Sequence, residues 1–226
     1  MADESLRDLL RSLPVFGDDV PDFDPAAAPD DPLELLVEWL HRAIEAGVSQ
    51  PHAMVLATAD PDGQPSARTL LLKDVTLPTP DESGGVWFAT LSDSPKGRDL
   101  AANPRAALLL YWREQGRQVR ISGAVAHGDR DVSDRDFLAR HPAARATVLA
   151  GRQSEPMPSG EELEREMASA REFVAVNPNF VPETWHSYVL TPASVEFWQS
   201  APRREQRRLR YTATPERGWQ RDMLWP

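Results

Sequence analysis

The chain of 226 residues contains no cysteine. Disulfide scaffolding, cysteine-ligated zinc, iron–sulfur clusters and thiol nucleophiles are therefore excluded, and the absence of thiols fits a cytoplasmic protein. No apolar run approaches the roughly 18 residues that a membrane helix requires. The N-terminal residues lack a basic stretch followed by an apolar one, so no secretory signal is expected. Several catalytic and nucleotide-binding motifs are also missing. No Gly-x-Gly-x-x-Gly follows a strand, no phosphate-loop glycine spacing occurs, and there is no Gly-x-Ser-x-Gly elbow. His41, His52, His127, His141 and His186 are scattered without metal-ligand spacing, and the acidic N-terminal stretch lacks that of a calcium loop, so no metal site is expected. Basic charge is scarce: 25 Lys and Arg stand against 35 Asp and Glu, a formal net charge of −10. That balance disfavours a nucleic-acid-binding face, which is usually basic.

What is present is ordinary in bulk and uneven in detail. A hydrophobic fraction of 41% and a charged fraction of 27% suit a globular protein long enough to bury a sizeable core. The acidity is concentrated in residues 1–31, where nine Asp and Glu face only Arg7 and Arg11. Residues 14–31 are rich in Pro, Asp and Ala, and read as an extended segment or as disorder, with Phe16, Val20 and Phe23 as points of attachment. The expected organisation is a leader over 1–31 and one domain over 32–226. Asp31-Pro32 opens a helix, with Leu33, Leu36, Val37, Leu40 and Ile44 on one face and Gly47 as its stop. Strand patterns follow at 54–58, 65–73, 86–90, 105–112 and 118–126. The Asp60–Gly63 turn joins the first two, and residues 74–85 read as a loop. Ser94-Pro95 caps a short helix to about residue 102. A helical insertion near 132–176 divides these strands from four more at 185–190, 194–200, 208–213 and 219–224. The predicted class is mainly β with flanking α, an antiparallel barrel with helices on its flanks.

The candidate chemistry is cationic and aromatic. Val195-Glu196-Phe197-Trp198-Gln199 runs into Arg203, Arg204, Arg207, Arg208 and Arg210. Guanidinium forks beside an aromatic wall suit a flat anionic ligand, whereas the same run is also what a solvated edge strand uses against aggregation. Arg68 shares a strand face with Leu70 and Leu72, while Thr69, Leu71 and Lys73 occupy the other. An arginine there either meets an anion or snorkels to water. Lys96 sits at a helix start that follows a strand, where free N–H groups favour an anion, or where the helix is simply capped. Gln118 and the Arg152-Gln153-Ser154 loop offer amides and a hydroxyl that read heterocycle edges or face solvent.

In order and spacing, Arg68 to Lys73, Phe88-Ala89-Thr90, Ser94-Pro95-Lys96, Arg117-Gln118-Val119, Arg152-Gln153-Ser154, Val195 to Gln199 and Arg204 to Tyr211 resemble the pyridoxamine 5′-phosphate oxidase family. The resemblance implies an FMN-binding split β-barrel and a homodimer with FMN at the subunit interface. It places Arg68 and Lys96 on the FMN phosphate, with Thr69, Leu70, Leu71, Lys73, Ala89, Thr90, Gln118, Gln153, Ser154, Trp198 and Arg208 as further cofactor contacts. Lys73, Phe137, His141, Arg204 and Gln206 fall at its substrate positions, and Arg204 and Gln206 at its catalytic pair. Several positions depart from the family pattern. Pro95 stands where an arginine is usual, Phe137 replaces a tyrosine, His141 an arginine and Gln206 a histidine, and a serine position falls near Arg145. The flavin half matches while the pyridoxal-phosphate half is altered.

Tyr111 to Glu114, Arg152 to Glu155, Arg208 to Tyr211 and the helix from Asp31 also resemble the phenazine-biosynthesis branch. The expected activity is thus an FMN-dependent oxidase. It would take a hydride from a small, anionic, cyclic or aromatic-precursor substrate and be reoxidised by molecular oxygen. Vitamin B6 phosphate oxidation is the alternative, and a non-catalytic flavin-binding protein a second one. Neither nucleic acid nor a membrane is an expected partner.

Overall fold

The structure is a computed structural model and describes residues 5–16, 20–151, 153–201, 206–216 and 218–226. The chain divides into two compact units. One comprises Met1–Pro51, Leu110–Arg120 and Val195–Pro226, and the other His52–Leu109 and Ile121–Ser194. The segment expected as a separate leader belongs to the first unit. The class is mainly antiparallel β with flanking helices, as the strand patterns indicate.

In the first unit, helix α1 (Leu6–Ser12) is capped by Ser5 and buries no residue. Leu6, Leu9, Leu10 and Leu13 do fall at helical spacing, a signal masked by the acidic stretch around them. Helix α2 (Pro32–Glu45) begins where Asp31 caps the Leu33 N–H at 2.7 Å. Its buried face is Leu33, Leu35, Leu36, Trp39 and Ala43, whereas Ile44 is exposed. The face is therefore rotated from the expected Leu33-Leu36-Leu40-Ile44 stripe. The cause is Trp39, whose ring meets Phe23 at 5.0 Å and Phe197 at 5.1 Å, both edge-on. Strands β8 (Gln206–Ala213) and β9 (Trp219–Met223) form an antiparallel pair. The acidic stretch is tied to that pair by Arg207–Asp22 at 2.8 Å, Arg221–Asp30 at 3.2 Å, Trp219 donating to Asp31 at 3.2 Å, and Tyr211 Oη donating to the Pro29 carbonyl at 2.7 Å.

The second unit carries strands in the order β2-β1-β5-β6-β7-β4-β3. These are β1 (Ala53–Ala59), β2 (Pro65–Leu71), β3 (Asp74–Thr76), β4 (Gly85–Leu91), β5 (Arg105–Trp112), β6 (Arg117–His127) and β7 (Trp185–Ser200), of which the last three continue into the first unit. Met54, Leu56, Val86, Phe88, Leu108, Ile121 and Leu190 are buried, each at 1% exposure or less. The expected loop over 74–85 contains β3, which pairs with β4. Three residues led by an Asp carry no alternation to announce a strand, and the Trp87 indole fixes them by donating to Thr76 Oγ1 at 3.0 Å. Strand β7 is continuous where two strands were expected, because Thr191-Pro192 reads as a break. Gly123 on β6 removes the obstacle: a Cβ at that position would collide with the Thr191 carbonyl and press on Pro192.

Helix α3 (Pro95–Ala102) follows β4. Helices α4 (Arg130–Ala139), α5 (Pro142–Leu149) and α6 (Gly160–Val176) fill the insertion. Ser133 pins α4 by accepting the Ser187 N–H at 3.0 Å, and Ala146, Ala150, Ala170 and Val174 join α5 to α6.

Candidate functional site

The second unit contains a cavity of about 530 Å³ lined by β2, β4, α3, α5, α6 and the loop after α5. Eight residues expected at a cofactor line it: Thr69, Leu70, Leu71, Lys73, Ala89, Thr90, Lys96 and Gln153. They meet there for elementary reasons. β2 is a two-faced strand at one end of the strand order, so Thr69 and Leu71 are exposed on one face while Arg68 and Leu70 turn to the other. β4 delivers Ala89 and Thr90, and the chain then turns at once into α3. Ser94 caps α3 by accepting the Gly97 N–H at 3.3 Å and donates to the Leu91 carbonyl at 2.7 Å. Gly97 is required at that corner, since a Cβ would strike the carbonyls of Leu91 and Ser92.

Lys96 is the most informative group. Its side chain is only 5% exposed, and its Nζ donates to Gln153 Oε1 at 2.9 Å and Ser94 Oγ at 3.2 Å. No carboxylate pairs with it among the described residues. Burial, and secondarily the Arg68 guanidinium, pushes its pKa down from 10.5 to about 8. Arg68 is not itself in the cavity wall. It donates to Thr58 Oγ1 at 2.7 Å and to Ser66, and Thr58 donates onward to Asp99 of α3 at 2.6 Å. Burial lowers the Arg68 pKa while Asp99 opposes the shift. A lysine at a helix start, buried without a counter-charge and with the Arg68 cation nearby, is suited to a phosphoryl group.

Arg140 is a cavity residue that the sequence reading missed in favour of His141. Its guanidinium lies over the Trp185 ring at 4.6 Å, and its Nε is buried without a partner among the described residues. Burial lowers its pKa, opposed by Asp136. His141 is exposed and caps α5 by accepting the Ala143 N–H at 3.2 Å. Phe137, which the resemblance puts at a substrate position, is fully buried against Trp185 and Leu91 and does not line the cavity. Arg145 turns away to the Pro178 carbonyl. Helix geometry explains the pattern, because α4 ends at Ala139 and the extended backbone of Arg140 redirects its side chain. Ser154 is exposed, with a positive φ of 71°.

The remaining expected residues lie in the first unit. The Trp198 indole donates to Gln206 Oε1 at 2.8 Å, so these two form a pair. Gln118 is half-buried. Arg208 places Nε and one terminal nitrogen on the buried Glu196 carboxylate, at 3.0 and 2.6 Å, and the other on the Trp225 carbonyl at 2.9 Å. Arg204 and Arg152 lie outside the described residues. Among the described residues no group of three or more His, Asp or Glu is arranged to hold a metal ion, and no helix is long and apolar enough to cross a membrane.

Residues 40–173 match the family model described as pyridoxamine 5′-phosphate oxidase. The chain belongs to that family. Residues 185–226 further match a model described as the pyridoxine 5′-phosphate oxidase C-terminal dimerisation region. Among curated relatives, the pyridoxine/pyridoxamine 5′-phosphate oxidase of Rubrobacter xylanophilus is 42% identical over 199 residues, 88% of each chain. The one from Paraburkholderia phymatum is 40% identical over 225 residues, 98% of this chain and 99% of its own. Among solved structures, PhzG from Burkholderia lata, in complex with tetrahydrophenazine-1-carboxylic acid, is 34% identical with a TM-score of 0.83, covering 93% of this chain and 100% of that one. A family-related FMN-binding protein from Nostoc punctiforme, 19% identical with a TM-score of 0.69, covers 90% of this chain and 100% of its own and shares the fold. The architecture is the family's split β-barrel.

Proposed function

We propose that the chain is an FMN-dependent oxidase whose substrate is a small, anionic, cyclic or aromatic precursor, of the kind handled in phenazine biosynthesis. The observation that carries this reading is the buried, carboxylate-free Lys96 in the wall of the cavity, with the Arg68 cation nearby. The cofactor is FMN, and its bound ring would supply a hydride acceptor that molecular oxygen can reoxidise. The residues of this chain do the binding and positioning. Lys96 holds the phosphate, Arg68 joins it by family resemblance, and Gln153 orients the lysine that it already accepts from. Thr69, Leu70, Leu71, Ala89 and Thr90 supply a wall for the flat ring, and Lys73 and Arg140 offer cations to the anionic group of the substrate. Gln118, Ser154, Trp198 and Arg208 are further cofactor contacts by family resemblance, and Arg204 orients the substrate on the same ground. Gln206 accepts from Trp198 and keeps its amide N–H groups for a ligand. It cannot titrate as a histidine would, so it orients and does not move protons. The match to a dimerisation region supports a homodimer with FMN at the subunit interface. The thiol-free composition supports a cytoplasmic location.

The curated relatives' names favour a second reading, oxidation of pyridoxine or pyridoxamine phosphate. Phe137 and Gln206 weigh against it, since neither offers the hydroxyl or imidazole of the family pattern. Purified protein should be yellow. A colourless preparation that does not quench added FMN fluorescence would refute the flavoenzyme. Steady-state turnover of pyridoxine 5′-phosphate on the order of 1 per second or above would establish the second reading over the first.

A further inference from the structure

Two cations besides Lys96 line the cavity, and they are not equivalent. Lys73 Nζ lies 3.0 Å from Asp136 Oδ1. The other carboxylate oxygen accepts the Trp185 indole N–H at 3.0 Å, so Asp136 is locked in place on two sides and only 15% exposed. Arg140 follows Asp136 by four residues and lines the same cavity, with its Nε unpartnered among the described residues. The charges of Lys73, Asp136 and Arg140 therefore sum to a single positive charge. A phosphate monoester carries about −1.5 to −2 near neutral pH, and a carboxylate carries one. In a partly dry site an uncompensated second charge beside Asp136 is repelled strongly, because Coulomb energies there exceed their values in water several-fold.

We propose that Asp136 is a specificity-determining residue: by neutralising Lys73 it tunes the substrate end of the cavity to a planar monocarboxylate and against a phosphate ester. This rests on the flavin-oxidase reading of the same cavity and goes beyond it by naming the charge class of the substrate and the residue that sets it. Asp136 acts through Lys73 and does not touch the substrate.

The test is a pair of ligand titrations of the FMN-loaded protein, read as perturbation of the flavin absorbance, with phenazine-1-carboxylate and pyridoxal 5′-phosphate. The wild-type protein should bind the carboxylate at least tenfold more tightly. Asp136→Asn keeps an acceptor for Trp185 and frees Lys73, and should move the preference at least tenfold toward the phosphate. Asp136→Glu restores the charge and should restore the wild-type order. A wild-type protein that prefers the phosphate overturns the proposal without any variant. So does a folded Asp136→Asn protein with an unchanged preference ratio. If neither ligand perturbs the flavin of the wild-type protein, the reading of the cavity as the substrate site falls, and this inference with it.

Discussion

Replacing Lys96 by Met should weaken cofactor binding and stabilise the empty protein, two effects of opposite sign from one side chain. The pKa of Lys96 drops from 10.5 to about 8 because it is buried beside Arg68 without a carboxylate. At about 1.4 kcal/mol per pH unit, carrying that charge costs the folded chain about 3 kcal/mol near neutral pH. The folded chain holds this proton less tightly than the unfolded chain. The cost is therefore present in full below pH 8 and fades as pH rises toward 10.5, so empty wild-type protein gains stability across that interval. Lys96→Met removes the cost and should raise the Tm of the FMN-free protein by about 6 to 12 °C, taking about 2–4 °C per kcal/mol for a chain of this size. Loss of a charged hydrogen bond to phosphate, worth about 1.5–3 kcal/mol, should raise the FMN Kd by about ten- to a hundred-fold. The wild-type Kd should also be level between pH 6.5 and 8 and then rise by up to about tenfold per pH unit, because binding must recover the lysine proton. Lys96→Met should lack that slope. Quenching of FMN fluorescence by apoprotein across this pH range, with thermal melts alongside, measures every arm. A level wild-type Kd to pH 9.5, or a variant that melts lower without cofactor, would refute the argument.

Gly97→Ala should displace the start of α3, since the new methyl meets two backbone carbonyls that cannot yield as a flexible side chain would. FMN affinity should fall at least tenfold in the same quenching assay. Phe137→Tyr, which restores the family's residue, should cost about 1–3 kcal/mol because the hydroxyl enters a fully buried site between Trp185 and Leu91. It should bring no turnover of pyridoxine 5′-phosphate, and thermal melts with steady-state kinetics check both. Phe197→Ala should cost about 3–5 kcal/mol in urea unfolding, because its ring joins Trp39 and Tyr211 at the centre of the first unit.

The strand ladder and the cavity wall were largely legible in the sequence. β2 advertises its two faces by alternation, and the Ser-Pro-Lys-Gly run after β4 contains its own cap and its own permission for close approach. Legibility failed where a long-range partner decides the outcome. β3 exists because β4 and the Trp87 indole recruit it. β7 passes through Pro192 unbroken because a glycine on the neighbouring strand leaves room. The α2 face turned toward Trp39 because two aromatic rings outweigh the leucine stripe. The sequence did not point to Arg140, which lines the cavity, or to Asp136, which pairs with Lys73. The resemblance put His141 at a substrate position, whereas Arg140, just past the helix end at Ala139, is the side chain that lines the cavity. Asp136 carried no signal, since an acidic residue on an exposed-looking helix is ordinary until its lysine partner, 63 positions earlier, is in view.

Arg117 has a consequence of a different kind. Its guanidinium is wholly enclosed, stacked over Trp39 at 4.2 Å, with one nitrogen on Gln199 and two others bonded to nothing among the described residues. An arrangement of this sort resists disorder poorly on enthalpic grounds but discriminates well between alternative packings, since a misplaced α2 would strip the cation of the Trp39 ring that shelters it. A neutral chain of similar bulk at this point would give a sturdier first unit with a less exacting interior, and engineering for heat tolerance should begin there.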